Sequence, residues 1–190
     1  MADDEASGPY ETNAALDMQK AGEFRDDAAS LHHEAEMLGD QASDVGARGL
    51  QDEAAKLEAL SETMETKADD FDRRADLLAD AAGMWREAAD DERRSAETRA
   101  RADAAWQTAY DLKERIETTP LSDDEITELR IEAGRADGEL AALRDRTDVL
   151  AHEAGFDIKL AETEEAAAGY DRPEVPRPNP EPNPDLLPLE

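Results

Sequence analysis

Val45-Gly46-Ala47-Arg48-Gly49-Leu50 lies between two segments of matching pattern, and reading it as a chain reversal decides the fold. Its two glycines supply the left-handed backbone that ends one helix and turns the chain toward another. Upstream, Ala21, Phe24, Ala28, Leu31, Ala35, Leu38 and Ala42 recur at spacings of 3 and 4 and form one helical stripe. Downstream, Ala68, Phe71, Ala75, Leu78, Ala82, Trp85 and Ala89 repeat the same order of small and large residues. A shared heptad preference explains the echo, and an ancestral duplication is the alternative. Folding the chain at the turn sets Val45 against Leu50, Leu38 against Leu57, Leu31 against Met64 and Phe24 against Phe71. Like meets like in every layer. The pattern predicts an antiparallel hairpin whose seam alanines let the two helix axes approach closely.

The first stripe fails after Ala89, where its continuation would bury Glu92, Arg99 and Asp103. A second begins at Ala102, Ala105, Ala109, Leu112 and Ile116. Thr119-Pro120 ends that helix, because proline disfavours helical geometry in the residue before it and lacks an N–H. The next helix starts at Leu121-Ser122-Asp123-Asp124-Glu125-Ile126, where Ser122 and Glu125 form a capping box and Leu121 and Ile126 a hydrophobic staple. Ile126, Leu129, Ala133, Ala136, Leu140, Leu143, Thr147 and Leu150 then keep the 3, 4 spacing until Gly155 offers a stop. Folding at Pro120 pairs Ile116 with Ile126, Leu112 with Leu129, and Ala105 with Ala136.

The expected fold is therefore all-α: antiparallel coiled-coil hairpins sharing one long central helix, with a compact three-helix bundle as the competing geometry. Helices are expected over about 13–45, 50–117 and 123–154. Residues 1–12 read as a flexible N-terminus, and residues 157–190 as a flexible tail in which Pro176, Pro178, Pro180, Pro182 and Pro184 favour polyproline II.

Composition supports this reading. Aromatics are 4% and charged residues 37% of the 190 residues, so a large compact core is not on offer and alanine fills much of what is buried. The net charge of -29 disfavours direct binding to nucleic acid or anionic membrane, both of which rely on Lys and Arg. A basic protein partner suits it better. With no cysteine there is no disulfide and no thiolate chemistry. The acidic start MADDEASGPY is unlike a signal peptide, and no apolar run is long enough to span a bilayer, so a cytoplasmic location, or the interior of an assembly made there, is expected.

Little in the chain points to catalysis. His32 and His33 are adjacent, so their side chains diverge by about 100° on a helix and do not converge on one metal. His152-Glu153 begins an H-E-x-x-H zinc motif, but Phe156 occupies the second ligand position. No catalytic residue, metal or cofactor is expected. The residues suited to holding a partner are Trp85, Trp106 and Tyr110, since Trp and Tyr are frequent binding anchors, together with Leu186, Leu187 and Leu189 beyond the proline spacer.

These features predict a non-catalytic assembly protein, a helical scaffold, spacer or adaptor that binds a protein partner through helix surfaces and tail and that can also self-associate. The alternative is an acidic inhibitor or chaperone covering the basic surface of a nucleic-acid-binding protein. A third reading comes from Tyr170-Asp171-Arg172-Pro173-Glu174, which resembles the Y-x-x-x-D/E signal of type VII secretion substrates. That family implies a secreted helical hairpin with a W-x-G turn. Here the turn near Gly46 has no Trp, and Gly83-Met84-Trp85 runs in the reverse order.

Overall fold

A computed structural model describes residues 8–173, and these form three helices and no strand: α1 (Pro9–Ala47), α2 (Gln51–Thr118) and α3 (Asp123–Ala167). The fold is all-α, with α2 shared by two antiparallel hairpins. Leu186, Leu187 and Leu189, and the proline-rich segment before them, lie outside the described residues. No helix among the described residues is long and apolar enough to cross a membrane.

Two compact units divide the chain. One contains residues up to Ala82 and from Glu164 onward, the other Gly83–Thr163. In the first unit, α1 lies antiparallel to the opening half of α2. Phe24 packs on Phe71 with ring centroids 5.6 Å apart, and farther along Ser61 Oγ donates to the Ala35 carbonyl at 2.8 Å. The seam alternates by size. Ala28, Ala35, Ala42, Ala54 and Ala68 are buried, whereas Leu31, Leu38, Leu57 and Met64 are half-buried, because two helices enclose a large side chain on one side only.

The reversal between α1 and α2 is a Schellman motif. The Gly49 N–H donates to Gly46 O at 2.9 Å and the Leu50 N–H to Val45 O at 3.3 Å. Gly49 carries the left-handed backbone with φ 85. Gly46, expected to share that role, is an ordinary helical residue in the last turn of α1.

Within the second unit, α2 and α3 form the other hairpin. Ala102, Ala105, Leu140 and Leu143 make a buried cluster, and Lys113 Nζ meets Asp137 Oδ2 at 2.9 Å across the seam. The helix start after Pro120 carries its capping box: Ser122 N–H donates to Glu125 Oε2 at 2.8 Å, and the Glu125 N–H returns to Ser122 Oγ at 3.4 Å.

Three expectations need correction. The N-terminal boundary moves, since α1 begins at Pro9, a residue pre-set for the first helical turn, and Glu11 Oε2 accepts from the Gly8 N–H. The change of phase along α2 comes earlier than expected: buried Ala68, Ala75 and Ala82 keep one heptad series, whereas Ala88, Ser95, Ala102 and Ala109 keep another that falls one residue short of it, with half-buried Asp91 and Thr98 between them. Lastly, α3 does not stop at Gly155 and runs on to Ala167 through what was expected to be tail. An interior helical glycine costs about 1 kcal/mol, which buried Ala154 and Ala161 help offset. The stop is at Gly169 (φ 66). Its N–H donates to Ala166 O at 3.0 Å and the Tyr170 N–H to Glu165 O at 2.9 Å, the same motif that closes α1.

Candidate interaction surface

The apolar side chains that the folded hairpins leave outside define the surface available for binding. In the second unit the seam side of α2 is Ala102, Ala105 and Ala109, all buried. Trp106 and Tyr110 follow these alanines by one residue and so project from the flank of the helix. Their rings stack on each other, 5.6 Å between centroids and 24° between planes, with about half of each residue exposed, 50% and 51%. One turn on, the Lys113–Asp137 ion pair bridges to α3 on the same flank. The result is a flat aromatic plate on a regular helix, with a charged edge.

Trp85 does not join it. Its exposure is 1%, so it belongs to the interior and presents no binding surface. Of the six residues selected from the sequence, Trp106 and Tyr110 are brought together, Trp85 is buried, and Leu186, Leu187 and Leu189 lie outside the described residues.

A second constellation, in the first unit, escapes a reading by hydrophobic period because its members are polar. After the α3 cap the chain folds back, and Arg172 Nη1 reaches Glu165 Oε1 at 3.0 Å, with both side chains largely covered (14% and 8% exposed). With the Asn13 amide oriented to satisfy both its ends, its oxygen accepts from Arg172 Nη1 at 2.9 Å and its nitrogen donates to Pro9 O at 3.2 Å. Asp17 is fully buried nearby on α1. Burial, followed by the charges of Asp17 and Glu165, raises the Tyr170 phenol above its ordinary value and keeps it neutral. Tyr170 packs on a cluster of Ala21, Phe24, Ala75, Leu78 and Ala168. This knot fastens the α3 terminus to α1 and α2. Its one sequence signal is Gly169 set between an alanine run and Pro173.

Carboxylates elsewhere are grouped without forming a coordination cage. Asp157 is raised above the usual aspartate range by burial first, then by Glu87, Asp91 and Glu153. His32 faces Asp72 at 3.2 Å and Glu65 at 3.7 Å across the first hairpin. Among the described residues no group of three or more His, Asp or Glu is placed to hold a metal ion. On α2, Arg93 pairs with Asp90 and Arg94 with Asp91, and Arg101 reaches Glu139 of α3 at 3.6 Å. No known protein family, curated protein or solved structure matches the chain.

Proposed function

We propose that this protein is a non-catalytic assembly component, a helical scaffold or adaptor that holds a protein partner on the Trp106–Tyr110 plate. The observation that carries the reading is the pair itself, two stacked aromatics half exposed on the flank of a well-seated helix. Aromatics fixed by each other lose little entropy when covered, and their area makes them strong anchors. The Lys113–Asp137 edge would supply a polar rim.

The test is crosslinking with a photoreactive residue at Gln107, followed by reconstitution from purified components. A partner crosslinked by the parent chain should bind the purified protein, and Trp106→Ser with Tyr110→Ser should weaken that binding at least about tenfold, the scale of a lost hot spot, with unchanged helicity. Equal affinity in the double variant rejects the proposal.

The net charge of -29 favours a second reading, in which the acidic surface covers a basic one. Salt separates the two. A charge-driven complex weakens steeply as salt rises from about 0.1 to about 0.5 M and the Debye length shrinks from about 10 Å, whereas docking on the aromatic plate responds little.

A further inference from the structure

The first hairpin is covered unevenly along its length. Near its base, the edge of α2 that carries Arg74 and Leu77 is occupied by the end of α3 and the segment after it: Arg74 Nε donates to Ala168 O at 2.7 Å, and Tyr170 and Leu77 both pack on the cluster that holds Ala168. Arg74 belongs to a heptad series that continues outward through Lys67 and Leu60 on the same edge. The large seam residues Leu31, Leu38, Met64 and Leu57 occupy the positions next to that series on the helical wheel, whereas the alanines sit toward the other edge. Beyond the end of α3, this groove therefore continues with its large apolar side chains half-buried, and with Leu60 42% and Met37 47% exposed on its rim. In the first unit it is the direct extension of the surface that α3 already covers.

We propose that the apolar segment Leu186-Leu187-Pro188-Leu189 of this same chain seats in that groove, between Leu38 and Leu57. Three observations point to this occupant. The groove is continuous with an existing intramolecular interface. The reach fits: from Arg172, anchored at Asn13, the chain to Leu186 spans about 43 Å as polyproline II, and Asn13 to Leu38 is about 38 Å of helix. Charge selects the edge. The opposite edge of the hairpin sets Glu58, Glu62, Glu65, Asp69 and Asp72 against Arg25 and His32, and this net negative edge repels an acidic segment. On the groove side α2 presents exposed Lys56 and Lys67 beside Glu53, with Asp27 and Glu34 at the corresponding heptad positions of α1, and these lysines suit Glu181 and Asp185 of the tail. Docked in this way, the tail covers the large apolar residues of the hairpin.

The absence of native cysteine makes the test direct. A nitroxide is attached to the full chain through Asn183→Cys, and the ¹³C-methyl signals of its methionines are recorded. Cis docking predicts loss of the Met37 and Met64 signals, retention of Met84, and recovery of Met37 and Met64 when Leu186, Leu187 and Leu189 are changed to Ser. Unchanged Met37 and Met64 signals overturn the proposal, and so does broadening that survives the Ser changes. In a mixture of ¹³C-labelled chain lacking the nitroxide with unlabelled chain carrying it, broadening between molecules means that a second copy donates the tail, which also rejects docking in cis.

Discussion

The Arg74 guanidinium lies 4.3 Å over the ring of Phe24 while its Nε donates to the carbonyl of Ala168 at 2.7 Å, so one side chain joins all three helices. It satisfies a carbonyl at the end of α3 that has no partner within that helix, and it covers the Phe24–Phe71 pair with a flat, weakly hydrated cation. Replacing Arg74 with Met keeps the aliphatic contact and removes both polar functions. The expected loss is about 2 kcal/mol, the scale of a hydrogen bond from a charged donor, read from the urea midpoint. Arg74→Lys should recover less than half of it, because an ammonium lacks the planar face and the second donor position.

The glycines at the first reversal should respond with opposite signs. Gly49 has φ 85, so Gly49→Ala costs about 1 kcal/mol. Gly46 is helical, and an added methyl would meet Ala54 Cβ at 3.6 Å, ordinary contact. Gly46→Ala should stabilise by about 0.5 kcal/mol through helix propensity. Thermal melts of both variants check the pair, and equal signs would contradict the turn geometry.

Two carboxylates should titrate against each other in their effect on stability. Asp157 is raised by burial and by Glu87, Asp91 and Glu153. Its charged form is disfavoured in the folded state, so its contribution is complete below the ordinary aspartate range and is lost as pH rises through the raised value. Glu125 is lowered by its hydrogen bonds from the Ser122 backbone and side chain. Its contribution is present above the ordinary glutamate range and is lost as pH falls through the lowered value. Asp157→Asn should therefore raise the melting temperature at pH 7 and do little at pH 3. Glu125→Gln should lower it at pH 7, with the difference fading in acid.

The two tryptophans separate interior from surface. Trp85→Ala removes a buried indole and should cost about 3 to 5 kcal/mol. Trp106→Ala acts on a half-exposed ring and should change stability by no more than about 1 kcal/mol. Paired denaturation curves decide this, and comparable losses would mean that the aromatic plate is structural.

How much of this was legible in the sequence depends on what carried the signal. Large residues at heptad spacing placed Phe24 on Phe71, and the Ser122–Glu125 spacing marked the start of α3. Where the buried stripe is polar or made of alanine, periodicity is faint. Ser95 at 6% exposure and Glu165 at 6% are interior residues that a hydrophobic period passes over. The end of α3 lies beyond the sequence expectation for that reason: Gly155 has helical residues on both sides, whereas Gly169 is followed closely by Pro173. Trp85 shows that position outweighs residue type. Its place in the Ala68–Ala89 stripe foretells burial, while its chemistry alone suggests a binding anchor. Asn13 and Arg172, far apart in sequence, meet through a fold-back that no local pattern encodes.

One indole inside and one outside give the protein its own optical reporters. Trp85 should emit at short wavelength and resist acrylamide quenching, while Trp106, stacked on Tyr110, should emit at long wavelength and quench readily. With two tryptophans in the chain, a single-Trp variant of each assigns the spectrum completely. Capture of a partner on the plate would then register as a blue shift of Trp106, and unfolding as a red shift of Trp85, so binding and stability can be followed in one cuvette without any added label.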